Sequence, residues 1–248
     1  MKTILITGAS SGIGWATAEK LSEQGHKLIL CGRRTDRLTH LQKQLETPSH
    51  LLTFDVRDRQ AVLNAIEELP QAFQTVDVLI NNAGNAHGLD FSQDADLDDW
   101  DAMIDSNVKG LLYVTKAVIP QMINRKDGQI INVGSIAGKE AYPRGNVYCA
   151  SKAAVDSFTQ GLRLDTNAYG LRVGAIHPGL VETDFSNVRF KGDKNRAKKV
   201  YAPLTALKAE DIAESIAFMI AAPAHVTLAD ITLLPTDQAS AYVANRQL

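Results

Sequence analysis

Tyr148 and Lys152 stand four residues apart in Tyr148-Cys149-Ala150-Ser151-Lys152, so on a helix they share one face, one turn apart. A free phenol has a pKa of about 10 and is a poor base at neutral pH. An ammonium beside it favours the phenolate and lowers that pKa. Such a pair serves as a general base toward an alcohol or a general acid toward a carbonyl. Tyr-xxx-Lys is common on helices, so its meaning depends on what else the chain supplies. Ser135, in Val133-Gly134-Ser135-Ile136-Ala137-Gly138, can donate a hydrogen bond to a developing alkoxide or simply form a turn. Asn107, in Ser106-Asn107-Val108-Lys109-Gly110, falls in a helical stretch where an amide is a middling helix former. That suits either a water-binding role or a polar contact between helices.

A second group of residues is suited to phosphate. Thr7-Gly8-Ala9-Ser10-Ser11-Gly12-Ile13-Gly14 joins a short apolar run to a helical pattern. Glycines at 8, 12 and 14 permit a tight turn, close approach of backbone to phosphate and close helix–strand packing. The helix that follows offers unpaired N–H groups and a positive dipole end to a pyrophosphate. The next apolar run ends Leu30-Cys31-Gly32-Arg33-Arg34. An NAD site places a carboxylate there for the ribose hydroxyls. Two guanidiniums stand there instead, and a guanidinium forks onto a phosphate. Arg33 is therefore assigned to the 2′-phosphate of NADP, and Arg34 to the adenine face or the same phosphate. Asp55 can bond the adenine amino group or cap the helix that starts near Asp58.

The elements that must position these groups alternate strand with helix. Strands are predicted at Thr3–Thr7, Lys27–Cys31, Leu51–Asp55, Val76–Asn81, Gln129–Val133, Arg172–His177 and Asp230–Leu234. Helical spacing marks Ile13–Gln24, Thr35–Leu45, Asp58–Leu69, two helices within Leu97–Asn124, Tyr148–Ala168 and Ala209–Ala221. Near-continuous apolar strands alternating with helices predict an α/β fold: a doubly wound Rossmann-type domain with a parallel, seven-stranded sheet covered on both faces. No linker or repeat divides the 248 residues, so a single domain spanning 1–248 is expected. Its one exception is Glu182–Leu207, read as an irregular insertion, and long loops in compact domains are usually functional.

Bulk composition adds exclusions. The net charge of −2 gives no reason to expect a nucleic-acid or membrane partner. Cys31 and Cys149 are the only cysteines; they make neither a metal motif nor a disulfide framework. The six histidines are scattered without ligand spacing, so no metal site is expected. No apolar stretch approaches the ~20 residues of a membrane span. A cytoplasmic protein is the expectation.

Together these residues resemble the short-chain dehydrogenase/reductase family over nearly the whole chain. Thr7–Gly14 is similar to its cofactor signature, and Asn81-Asn82-Ala83-Gly84 to its structural motif. Asn107, Ser135, Tyr148 and Lys152 follow the order and spacing of its catalytic tetrad. Pro178-Gly179, with Val181 and Thr183 after it, resembles the segment that holds the nicotinamide carboxamide. The resemblance implies NADP contacts at Gly8, Ser10, Ser11, Gly12, Ile13, Gly14, Arg33, Arg34, Asp55, Val56, Asn82, Ala83 and Gly84. It implies further cofactor contacts at Tyr148, Lys152, Pro178, Gly179, Val181 and Thr183. It makes Tyr148 the acid/base, Ser135 the group that orients the substrate oxygen, Lys152 the ribose ligand that tunes Tyr148, and Asn107 the holder of a relay water. It also implies a homotetramer, with Leu111–Met122 and Tyr148–Ala168 on a dimer face.

Gly145-Asn146-Val147-Tyr148, the run Pro178–Asp193 and the ending Leu234-Pro235-Thr236-Asp237-Gln238 resemble one subgroup, the NADP-dependent 3-hydroxy acid dehydrogenases. Members oxidise short hydroxy acids such as serine, L-allo-threonine, 3-hydroxyisobutyrate and 3-hydroxypropionate, and reduce malonic semialdehyde in reverse. The chemistry agrees: Arg189–Lys199 holds six basic residues among eleven. Most suit a solvated loop, but Arg189, between Val188 and Phe190, is placed to clamp a substrate carboxylate from a lid. Two rivals stand beside this reading. One is a reductase of 3-ketoacyl groups on acyl carrier protein or of carbonyls generally. The other is a non-catalytic NADP-binding regulator.

Overall fold

The computed structural model describes residues 1–246. In chain order the elements are β1 (Thr3–Thr7), α1 (Gly12–Glu23), β2 (Lys27–Gly32), α2 (Thr35–Gln44), β3 (Ser49–Thr53), α3 (Arg59–Glu67) and β4 (Val78–Asn81). Then come α4 (Leu97–Ile104), a π-helical turn (Asp105–Gly110), α5 (Leu111–Arg125), β5 (Gln129–Val133), α6 (Asn146–Thr166) and β6 (Arg172–Pro178). The chain continues through β7 (Val181–Glu182), α7 (Phe185–Arg189), α8 (Lys194–Tyr201), β8 (Leu207–Lys208), α9 (Ala209–Ala221) and β9 (Asp230–Leu233). Seven strands form one parallel sheet in the order β3-β2-β1-β4-β5-β6-β9.

Alternate residues of each strand feed opposite faces of the sheet. Ile4 and Ile6 of β1 pack with Leu21 of α1 and Ile216 of α9, whereas Leu5 between them joins Val114 and Val118 of α5. Helices therefore cover both faces, as a sheet with fully buried strands demands. The strand order reverses at β1, whose neighbours are β2 and β4. Ligands of open α/β sheets bind beyond the carboxyl ends of the strands at such a switch point. Among the described residues no helix is long and apolar enough to cross a membrane.

Most element ends shift by one or two residues from the sequence expectation, and three differences bear on the site or its lid. The third strand is Ser49–Thr53, not Leu51–Asp55, because this edge strand starts on half-buried Ser49 and His50 opposite Leu28 and Ile29, which carry no apolar signal. Helix α6 begins at Asn146, two residues before Tyr148. The insertion 182–207 is not irregular: β7 and β8 pair at its base, and α7 and α8 lie between them. Helix α8, Lys-Asn-Arg-Ala-Lys-Lys-Val-Tyr, buries only Ala197, so it has no apolar stripe to read. Its readable mark is Asp193, whose carboxylate accepts from Asn195 N at 3.0 Å and Arg196 N at 3.1 Å, an N-cap.

Adjacent strand ends are tied by buried amides. Asn81 Nδ2 donates to Thr115 Oγ1 and to Asn132 Oδ1, both at 2.9 Å, and Asn132 Nδ2 donates to Thr159 Oγ1 at 2.8 Å. The chain runs from α5 through β4 and β5 to α6. Asn132→Ala removes its middle and two buried hydrogen bonds, leaving Asn81 Nδ2 with Thr115 alone and Thr159 Oγ1 with the Val155 carbonyl alone. The expected cost is about 2–3 kcal/mol, read by urea unfolding; a loss below about 0.5 kcal/mol would show the network to be dispensable.

Candidate active site

The turn after β1 starts from Thr7, whose Oγ1 accepts from Asn82 N at 3.0 Å and Ala83 N at 2.9 Å. Asn82 Nδ2 donates back to Thr7 O at 2.9 Å. These bonds sew the end of β1 to the end of β4. Gly8 takes φ +67°, and a Cβ on Gly14 would lie 2.4 Å from the Gly8 carbonyl oxygen. The turn thus needs glycine at 8 for its left-handed backbone and at 14 for its closeness to α1.

At the end of β2 the two arginines behave differently. Arg34 turns onto the glycine-rich loop, donating from Nη2 to Ser10 Oγ at 3.0 Å and to Ser11 Oγ at 2.7 Å. Arg33 is 65% exposed, and its Nη1 lies 3.6 Å from Asp55 Oδ2. Of the two roles open to Asp55, the structure removes the cap. Asp58 caps α3 by accepting from Ala61 N at 3.0 Å. Asp55 instead accepts from Arg57 Nε at 3.0 Å and Arg57 Nη2 at 2.7 Å. Those bonds, the backbone N–H of Arg57 and the charge of Arg33 hold its carboxyl below the ordinary value against the opposing effect of burial.

The reactive group gathers beyond β5 and β6. Ser135 accepts from Ala137 N at 3.1 Å, and its hydroxyl points toward the Pro178 carbonyl at 3.5 Å. Tyr148 is buried at the start of α6. Burial, with Tyr142 nearby, pushes its phenol pKa above the ordinary value, outweighing the hydrogen bond with Ser135 and the charge of Arg189. The net shift is opposite to the lowering expected for a phenol beside an ammonium, because burial outweighs it. Lys152 Nζ donates to the Val133 carbonyl at 2.9 Å. Burial lowers the Lys152 pKa to about 8, so the ammonium itself is held at a cost.

Asn107 lies in the π-helical turn between α4 and α5, a local widening often found at functional sites. Its Oδ1 accepts from Asn85 N at 2.8 Å and Ser106 Oγ at 3.1 Å. Its Nδ2 donates to Asn85 O at 2.8 Å and Ser151 Oγ at 3.0 Å. The side-chain amide is therefore fully engaged, and a water near Asn107 has to be held by the main chain. Asn107 and Lys152 meet at Gly84, where a Cβ would lie 3.0 Å from Asn107 Oδ1 and 3.6 Å from Lys152 Nζ.

Arg189 ends α7 in the insertion. Its Nε donates to the Gly88 carbonyl at 3.1 Å and its Nη1 to the Tyr142 hydroxyl at 2.9 Å. Its guanidinium carbon stands 5.5 Å from the centre of the Tyr148 ring. A single cavity of about 810 Å³ joins these parts. Every site residue expected from the sequence lines it except Gly14 and Asn107, which stand just behind the lining. Tyr142 and Arg57, which have no sequence signature, also line it, as does Gln238, the last residue of the ending Leu234–Gln238. Gln238 Oε1 accepts from Leu180 N at 2.8 Å, holding the loop after β6.

The lining fits a dinucleotide phosphate. The turn leaves no room for side chains at 8 and 14, the amino end of α1 faces the cavity, and two guanidiniums stand where β2 ends without a carboxylate. A phenol beside a serine hydroxyl at the far end completes the outline of a nucleotide-dependent oxidoreductase on a doubly wound sheet. The chain belongs to the short chain dehydrogenase family, whose model matches residues 2–194.

Named relatives narrow the comparison. The NADP-dependent 3-hydroxy acid dehydrogenase YdfG of Escherichia coli K12 is 43% identical over 239 residues, covering 96% of each chain. Sulfoacetaldehyde reductase 2 of Chromohalobacter salexigens is 46% identical over 247 residues, covering 98% of each. A closed form of serine dehydrogenase complexed with NADP+ superposes with a TM-score of 0.95 at 42% identity, covering 99% of this chain and 100% of that one.

Proposed function

We propose that the protein is an NADP-dependent oxidoreductase that interconverts short 3-hydroxy acids, of the serine, L-allo-threonine, 3-hydroxyisobutyrate and 3-hydroxypropionate type, with their 3-oxo forms. The observation that carries the acid specificity is Arg189, a guanidinium 5.5 Å from the Tyr148 ring. Its Nε and Nη1 are taken by Gly88 and Tyr142, while Nη2 makes no hydrogen bond among the described residues and is left to meet a carboxylate. The names of the 3-hydroxy acid dehydrogenase and serine dehydrogenase relatives agree with this reading. The sulfoacetaldehyde reductase favours a second anionic group, a sulfonate, at the same place.

When bound, NADP takes up or supplies the hydride. Arg33 and Arg34 meet its 2′-phosphate, the Gly8–Gly14 turn its pyrophosphate, and Pro178, Gly179, Val181 and Thr183 its nicotinamide end. Val56, with Asp55, lies along the adenosine, and Asn82, Ala83 and Gly84 line the floor. The Ser135 hydroxyl bonds the substrate oxygen, and Tyr148 takes the proton in oxidation or gives it in reduction. Lys152 bonds the nicotinamide ribose. Asn107, its side chain saturated, holds the relay water through its main-chain carbonyl. We further propose one domain over 1–248 with 182–207 as a substrate lid, a cytoplasmic location, and a homotetramer. Leu164 of α6, 80% exposed, supports a helix face reserved for another copy.

The test is an NADP+-linked assay of the full chain on serine, L-allo-threonine and 3-hydroxypropionate, with 2-hydroxyethanesulfonate, an uncharged 1-propanol control and an acetoacetyl thioester in the presence of NADPH. Turnover of the hydroxy acids well above 1-propanol is expected. Preference for the thioester would instead assign a ketoacyl reductase. NADPH binding without turnover on any of them would leave a cofactor-binding regulator.

A further inference from the structure

On the far side of Ser135 from the cavity, four charged or ionisable side chains converge. His177, the last residue but one of β6, is fully buried, and neither ring nitrogen makes a hydrogen bond of good geometry, the Ser135 backbone being its polar contact outside the charged cluster. Its Nε2 lies 3.6 Å from Asp156 Oδ1 of α6 and 3.4 Å from Asp230 Oδ2 of β9. Lys139, just past the turn that carries Ser135, sends Nζ to within 3.0 Å of Asp156 Oδ1 and 2.5 Å of Asp230 Oδ2. None of the four lines the cofactor cavity.

A buried imidazole whose nitrogens make no well-formed hydrogen bond is unusual and calls for a water or an ion. The geometry points to an ion. Ligands on a tetrahedral zinc with bonds of about 2.0–2.2 Å stand about 3.3–3.6 Å apart. The two imidazole–carboxylate distances match that edge, and all three ligand atoms lie within 4.8 Å of one another. A neutral imidazole keeps a lone pair for a metal. Asp156 is held from behind, its Oδ2 accepting from Gln160 Nε2 at 3.3 Å, the kind of outer support metal ligands receive. A single ammonium leaves two carboxylates with one uncompensated charge, whereas a divalent ion balances both. We propose that Asp156, His177 and Asp230 form a binding site for a zinc-type divalent cation, which competes with the ammonium of Lys139. The imidazole selects zinc-type ions over magnesium, which prefers oxygen ligands and retains water. Lys139 is 28% exposed at its side chain and has open solvent to swing into. The three ligands come from one helix and two strands, which is why no spacing of histidines along the chain announces them.

The experiment is calorimetric titration of the full-length protein, stripped with chelator, with zinc chloride and then magnesium chloride. One zinc per chain is expected, with no saturable magnesium binding. Asp230→Asn, at a side chain 45% exposed, is expected to fold normally and weaken zinc about tenfold or more; Asp156→Asn serves as the second ligand variant. Lys139→Ala, which removes the competing charge, is expected to tighten zinc. Failure of both the native chain and Lys139→Ala to bind zinc would overturn the proposal and leave Lys139 as the cluster's only cation. Unchanged affinity in both ligand variants would also overturn it, placing the ion elsewhere, and equal binding of magnesium would overturn the zinc-type assignment.

Discussion

Tyr148→Phe is expected to lower kcat about 10³–10⁴-fold in both directions while leaving NADP affinity within about twofold. In the proposed mechanism the phenol is the only proton shuttle at the reacting carbon, and phenylalanine keeps the ring that packs against Phe185, 5.7 Å between centroids. The pH dependence follows from the direction of the phenol's shift. Burial raises the Tyr148 pKa, so at neutral pH the group is a phenol. Reduction uses the phenol and loses rate only above that raised value. Oxidation uses the phenolate, so its rate climbs with pH across the neutral range. Lys152, lowered to about 8 by burial, gives up its charge as pH passes that value, which removes support for the phenolate and bends the oxidation profile downward from its rise. Steady-state rates of both directions across pH, for the native chain and the variant, check this. A variant that keeps more than about a tenth of native kcat would remove Tyr148 from the acid–base role.

The legible parts of this molecule were those with local signatures. The Thr7–Gly14 turn is legible because its three glycines fall between the first strand and the first helix, Ser135 lies just past the end of β5, and Tyr148 and Lys152 lie in the first turns of α6. The alternation of strands with helices announces a parallel sheet covered on both faces. What could not be read depended on residues distant in sequence. The direction of the Tyr148 shift is set by burial among Tyr142, Ser135 and Arg189, and no spacing reports desolvation. Arg34, not Arg33, grips the glycine loop because Ser10 and Ser11 face it. Asp55 could equally have been a cap until Asp58 was seen to cap α3. Helix α8 was missed because its side chains face water; only Asp193 marks its start.

Arg189→Ala is expected to lower kcat/KM for 3-hydroxy acids about 10²–10³-fold and to leave an uncharged alcohol of the same length nearly unaffected. Removing one partner of a desolvated charge pair costs about 2–5 kcal/mol, and each factor of ten is about 1.4 kcal/mol. Arg189 also ties the lid to Gly88 and Tyr142, and its loss removes both ties along with the charge. Two contacts survive the substitution, however. The Gly88 N–H donates to the Arg189 backbone carbonyl at 3.0 Å, and Lys191 Nζ lies 3.0 Å from Asp99 Oδ1. The lid therefore stays down while its charge is removed. Arg189→Lys separates the effects further, since an ammonium keeps the charge and loses the fork; an intermediate loss confined to acids is expected. If acids and uncharged alcohols fall together in the alanine variant, Arg189 is a latch for the lid and the carboxylate must be bound elsewhere.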